Sequence, residues 1–257
     1  MPLHRLLPIL ANTEGMPRRC PFCANMANSG EHVDPRWVSR LYHDADSGAG
    51  TFTMSFGGLY SERTARTLNQ TVRVCRSCNG GWMAQLEARA KPGLVSLKSG
   101  EPLEIGSDGQ HVLAWWLLKN AVVKELVTPA SSPLRVSTQA QRQLVRSGSI
   151  PEGWRVAIGG YEGTGPNLVH HFSTVKRYVD SDGVRGGSVV LHTLRFECFV
   201  GQVLLHSMVE TPVLRDLLGG PQYAIEIPQN NVVTWPPPAL HGSDSLEIVR
   251  NFGTTAT

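Results

Sequence analysis

Cys20-Pro-Phe-Cys23 and Cys75-Arg-Ser-Cys78, the second running on into Asn79-Gly80-Gly81-Trp82-Met83, decide how this chain folds. Two residues between paired cysteines let a tight knuckle turn aim both sulfurs at one ion, and two such knuckles complete a tetrahedral zinc site. A disulfide framework competes with that reading but belongs to oxidising compartments. The N-terminal apolar run Leu6–Ala11 is short, broken by Pro8 and followed by Glu14, Arg18 and Arg19. It makes a poor secretory signal, so a cytoplasmic location is expected. A redox dithiol would need one pair after a strand in a βαβ unit and would leave the other pair unexplained. Cys20, Cys23, Cys75 and Cys78 are therefore read as ligands of a structural zinc ion. The fifth cysteine, Cys198, lies in the alternating run Leu194–Val200 with Leu194, Phe196 and Val200 on its side, and reads as a core thiol.

Between the knuckles come Glu31-His32-Val33-Asp34-Pro35-Arg36-Trp37, then Thr51–Phe56, which alternates, and Thr71–Val74. The last two read as strands, with Gly57-Gly58 supplying a turn. After the second knuckle, Trp82, Met83, Leu86 and Ala90 recur at helical spacing, and Asn79 is of a type that caps a helix start. The order is knuckle, Glu-His segment, strands, knuckle, helix.

That order and those residues resemble the HNH endonuclease family. Its zinc-bearing members carry Cys-x-x-Cys, an acidic-His pair on a strand, and a second Cys-x-x-Cys followed at once by His or Asn opening a helix. The matching residues are Cys20, Cys23, Glu31-His32, Cys75, Cys78 and Asn79, and the resemblance covers residues 18 to 90. The wider phrases Glu-His-Val-x-Pro-x-Trp and Cys-x-x-Cys-Asn-x-Gly-Trp-Met-x-x-Leu-Glu are similar to an actinobacterial-type group of HNH proteins. The resemblance implies a ββα-metal (treble-clef) lobe and metal-dependent hydrolysis of phosphodiesters, with DNA the expected nucleic acid.

Such hydrolysis needs a base to activate water and a cation to offset charge on the phosphate. The resemblance implies His32 as general base, since imidazole titrates near working pH, and Glu31 with Asn79 holding one Mg²⁺ or Mn²⁺. Glu31-His32 also reads as an ordinary surface or core pair, and Asn79 as a cap only. Asp34 is an accessory candidate, and Trp37 reads as packing over the zinc lobe. The family's middle Asn is out of register, with Gln70 at its position and Asn69 beside it. Arg18, Arg19, Arg73 and Arg76 flank the knuckles and suit thiolate stabilisation. Arg36, Arg40, Arg63, Arg66 and Arg89 suit salt-dependent, sequence-blind contact with a nucleic-acid backbone.

The charge asymmetry of this half reads first as an ordinary solvated arginine face and second as a surface for a polyanionic partner. Residues 1–100 hold 12 Lys and Arg against 7 Asp and Glu, whereas the rest of the 257-residue chain holds 12 against 14. The longest apolar stretch, Val112–Val127, carries Lys119 and Lys124, which excludes a membrane span. Residues 108–127 read as a helix stopped by Pro129, and 138–146 as a second helix. Strand-like runs follow at 154–158, 168–175, 188–198, 202–209, 223–227 and 231–235, with Phe199-Val200-Gly201 as a tight turn. His192 and His206 read as a cross-strand pair.

The expected fold is α+β: a flexible N-terminus (1–17), the zinc lobe (18–98), a helix with a mostly antiparallel sheet (99–252), and a disordered tail (253–257). Two other readings stay open beside the nuclease, namely a non-catalytic zinc module that binds nucleic acid and a protein-interaction module. A nuclease with one site per chain would cut a duplex as a homodimer or by sequential nicks.

Overall fold

A computed structural model describes residues 18–38, 50–56, 59–65, 70–161, 169–179, 185–206 and 224–237. It is a mixed helix-and-sheet, α+β structure. The expected flexible N-terminus, the tail, the Gly57-Gly58 turn, Asn69, Arg40 and Arg66 lie outside those residues.

Strand β1 (Ser29–His32) pairs antiparallel with β4 (Thr71–Val74), placing Glu31 opposite Val72 and His32 opposite Thr71. The second knuckle winds into a π-helical turn over Cys78–Met83 that continues as helix α1 (Ala84–Lys98). Gly81, at φ −95° and ψ −111°, is a kink inside that turn. Two small strands, β5 (Leu103–Ile105) and β11 (Val233–Trp235), pair antiparallel beyond it.

Helix α2 (Ser107–Leu126) is the centre of the molecule. Fifteen of its 20 residues are buried, including Lys119, Asn120, Lys124 and Glu125. A helix buried on nearly every side must be covered by protein all round. One buried apolar cluster runs through it, from Phe22, Val74, Met83 and Leu94 to Phe199, Val203 and Trp235. The core is thus continuous across residue 98. Helix α3 (Gln139–Arg146) starts on a reciprocal capping box: Thr138 accepts from the Gln141 amide, and the Gln141 side chain accepts from the Thr138 amide.

A seven-stranded sheet backs α2. Its strands are β2 (Gly50–Phe56), β3 (Leu59–Ala65), β6 (Arg155–Gly160), β7 (Val169–Val179), β8 (Arg185–Phe196), β9 (Phe199–His206) and β10 (Ala224–Ile227), in the order β10-β6-β9-β8-β7-β2-β3. Every pairing is antiparallel except β2 with β7. The β2–β3 hairpin lies between the two knuckles in sequence, yet it extends the sheet built by the C-terminal half. Gly201 in β9 lets α2 approach closely, since a Cβ there would overlap Leu117 Cδ2.

Two local expectations are corrected. The β8–β9 turn is Glu197-Cys198, with Phe196 paired to Phe199 and Glu197 at φ 51°. Phe199-Val200-Gly201 is already strand. Cys198 is therefore a half-buried turn thiol rather than a strand core thiol, and its amide donates to the Lys98 carbonyl at 3.4 Å. His192 and His206 are not opposite each other in the β8–β9 register. His192 lies opposite Val203 and hydrogen-bonds Ser173 Oγ through Nδ1 at 2.8 Å, while His206 lies opposite Val189. Among the described residues, no helix is long and apolar enough to cross a membrane.

Candidate functional site

The first knuckle closes on itself through backbone bonds. The Ala24 amide donates to the Cys20 carbonyl at 2.9 Å, and the Cys20 amide to the Asn25 carbonyl at 2.6 Å. Ala24 takes a left-handed φ of 61° to make the turn. In the second knuckle the Asn79 amide donates to the Cys75 carbonyl at 3.0 Å, and the Cys78 amide points at Cys75 Sγ at 3.4 Å.

These turns bring the four cysteines together. Their sulfurs lie within 4.8 Å of one another, with Cys23 to Cys75 at 3.4 Å and Cys23 to Cys78 at 3.6 Å. Zinc–thiolate bonds of about 2.3 Å set at tetrahedral angles give sulfur separations of about 3.8 Å. The cluster could hold a metal ion such as zinc. Burial pushes the Cys20 and Cys78 thiols up. Burial acts the same way on Cys75, but hydrogen bonds from Ser77 Oγ, the Cys78 amide and neighbouring thiols outweigh it and bring that thiol to about 6.

The second knuckle also holds β1. Asn79 Nδ2 donates to the Gly30 carbonyl at 2.9 Å and to Ser29 Oγ at 2.7 Å. Asn79 thus sits one residue inside the π-helical turn, and its side chain reaches across to the strand instead of capping its own helix; Ser77 is at the cap position. Gln70 ties down the other end of the segment, its carbonyl accepting from the Val33 amide at 2.8 Å.

Strand alternation then parts the Glu-His pair. Glu31 points inward and is 5% exposed, whereas His32 is half-buried. His32 lines an open cleft with Glu31, Arg36, Trp37, Asn79 and Glu87. Burial lowers the His32 pKa, the Arg36 guanidinium lowers it further, and Glu87 and Asp34 pull the other way. Neutral imidazole is the form that can accept a proton from water. Arg36 is exposed at the rim, and Lys91 Nζ lies 5.7 Å from the centre of the Trp37 ring. Trp37 is half-buried and packs against the core while also forming a cleft wall.

The remaining sequence candidates lie elsewhere. Asp34 is buried outside the cleft, and its charge acts on Lys124. Arg89 pairs with Asp108 at 3.0 Å on the surface. The Arg76 backbone amide donates to Asn28 at 3.0 Å, and Arg19 lies beside the Ala24 carbonyl at 3.5 Å. No protein-family model, curated protein or solved structure matches the chain.

What sequence reasoning missed is Lys119. Its ammonium, fully buried on α2, donates to Glu31 at 2.5 Å and to Glu87 at 2.7 Å. Burial alone would lower its pKa, but the two carboxylates outweigh burial and raise it. In sequence Lys119 only interrupts an apolar helix, a pattern that argues against a membrane span and says nothing of a partner. The ion pair bears directly on the expected Mg²⁺ or Mn²⁺. Glu31 already accepts from an ammonium that has no exposure to water. Among the described residues, the cysteine cluster is the one group of three or more His, Cys, Asp or Glu side chains placed to share an ion. With Oε1 already held by a buried ammonium, the Glu31 carboxylate is a poor ligand for a catalytic divalent cation, and nothing in the arrangement supports one there.

Proposed function

We propose that this protein is a nucleic-acid phosphodiesterase of the HNH type, with DNA as its first substrate and His32 as general base. The observation that carries the reading is the place of His32. It lies at the end of β1, in an open cleft, with its charge state biased to neutral and Arg36 beside it. We read the order first knuckle, β1, β4, second knuckle and helix α1, with the β2–β3 hairpin inserted between β1 and β4, as a ββα-metal, treble-clef lobe. Zinc on Cys20, Cys23, Cys75 and Cys78 would supply folding energy and keep the second knuckle where Asn79 holds β1.

The chemistry follows from the chain's own groups. His32 accepts a proton from water as its oxygen attacks phosphorus, and the leaving oxygen takes a proton from solvent as the P–O bond breaks. Arg36 offers a planar, permanently charged donor set to the phosphate oxygens. Backbone contact of this kind reads no sequence, so weak sequence preference is expected. A cytoplasmic location fits this role.

The engagement of Glu31 by Lys119 favours one second reading, a zinc module that binds nucleic acid without cutting it. Labelled single- and double-stranded DNA and RNA oligonucleotides separate the two. The nuclease reading expects products from wild type and none from His32→Ala at equal binding. Salt-sensitive binding by both proteins, with no product from either, selects the second reading.

A further inference from the structure

Behind the cleft, out of contact with solvent, lies a charge that the expected chemistry does not use. Glu31 from β1 and Glu87 from α1 converge on Lys119, which rises from the middle of α2. Lys119 has no exposed surface, and the helix that carries it is buried on nearly all sides. A lysine so placed cannot swing into water, and a buried ammonium persists only when paired. Its two partners are the carboxylates that line the cleft beside His32 and Asn79. A hard divalent cation takes carboxylate oxygens as ligands. At Glu31 it would have to share a carboxylate with a fixed positive charge that already holds Oε1 at 2.5 Å.

We infer that Lys119 is the resident cation behind this cleft, occupying Glu31 and Glu87 in place of a divalent metal ion, so that the site engages and cleaves phosphodiesters without Mg²⁺ or Mn²⁺. The inference rests on the nuclease reading for its last clause only. Lys119 does not touch the substrate. It is a positioning residue that neutralises Glu31, holds β1 against α1 and α2, and leaves Arg36 as the cation presented to phosphate. The sequence pattern could not reveal this, because the ammonium comes from a helix remote in sequence from the Glu-His pair.

The test is Mn²⁺ binding by zinc-loaded full-length protein, followed by the electron paramagnetic resonance signal of free Mn²⁺. Wild type and Glu31→Gln are expected to bind Mn²⁺ equally weakly. A Mn²⁺ equivalent held by wild type and lost in Glu31→Gln overturns the inference. Lys119→Gln, with zinc content and circular dichroism as in wild type, is expected to bind Mn²⁺ at least about tenfold more tightly than wild type. Equal binding by a folded Lys119→Gln protein also overturns it. Should that variant not fold, the wild-type and Glu31→Gln comparison decides. In parallel, cleavage in cation-stripped buffer is expected to change by less than about twofold on adding Mg²⁺, and a rise of about tenfold or more contradicts the inference. If no substrate is cut under any condition, the nuclease reading fails while the Mn²⁺ experiment still decides the role of Lys119.

Discussion

Asn79 Nδ2 donates to the Gly30 carbonyl at 2.9 Å, fastening the second cysteine knuckle to the strand that carries His32. The same nitrogen donates to Ser29 Oγ at 2.7 Å. Asn79→Ala removes both bonds and leaves the Gly30 carbonyl short of a donor inside the structure. At about 1 kcal/mol for each net hydrogen bond, the variant is expected to lose about 2 kcal/mol of stability in urea titration. His32 is then less well placed, and any cleavage falls further than binding.

Metal removal should reach well beyond the knuckles. Trp82, in the π-helical turn that follows Cys78, stacks on Trp115 of α2 with ring centres 5.9 Å apart and planes within 6°. The buried core is continuous from the knuckles to the sheet. Structural zinc contributes about 10–16 kcal/mol in small zinc peptides. Chelation, or Cys78→Ser, is therefore expected to collapse the near-ultraviolet circular dichroism of the tryptophans. A tryptophan signal unchanged after full zinc loss would oppose this.

Gly201 marks the closest approach of α2 to the sheet. A methyl group there meets Leu117 Cδ2 head-on, and a ring carbon of Phe199 lies 3.2 Å away. Both side chains are fully or nearly fully buried. Gly201→Ala is expected to destabilise by about 1–3 kcal/mol, the usual range for an overfilled core. Adding Leu117→Ala should recover less than additive loss, which a double-mutant cycle in urea would measure.

Lys124 gives a pH dependence with a definite sign. Burial lowers its pKa to about 8 from 10.5, with the Asp34 charge acting the other way. Below about 8 both folded and unfolded chains hold the proton, and the cost of burying the ammonium is present in full. Between 8 and 10.5 the unfolded chain holds more protons, so stability rises with pH across that window. The shift corresponds to a cost on the order of 3 kcal/mol. Lys124→Met is expected to be more stable than wild type at pH 7, with the gap closing as pH rises. A gap that is constant from pH 7 to 10.5 would contradict the assignment.

What the sequence revealed was local. Cys20, Cys23, Cys75 and Cys78 announced a cluster because the spacing inside each pair forces the turn, whatever lies between the pairs. The helices over 107–126 and 139–146 and most strands followed from periodicity and from turn residues. Three things were hidden for physical reasons. The β2–β3 hairpin joins β7 through backbone bonds that carry no side-chain signature. The turn at Glu197-Cys198 uses a non-glycine residue at positive φ, so Gly201 drew the turn to the wrong place. Lys119 looked like an interruption of an apolar helix, because the charges that justify its burial come from β1 and α1. Asn79 was legible as a residue of the site, but its reach to Gly30 rather than to its own helix was not.

The most direct test of the account is nicking of supercoiled plasmid by zinc-loaded protein, with His32→Ala alongside wild type. The account predicts that wild type converts supercoiled to open-circular DNA, and that His32→Ala does not, although it keeps its zinc and its circular dichroism spectrum. Equal nicking by both proteins, or none by either, would contradict a catalytic role for His32.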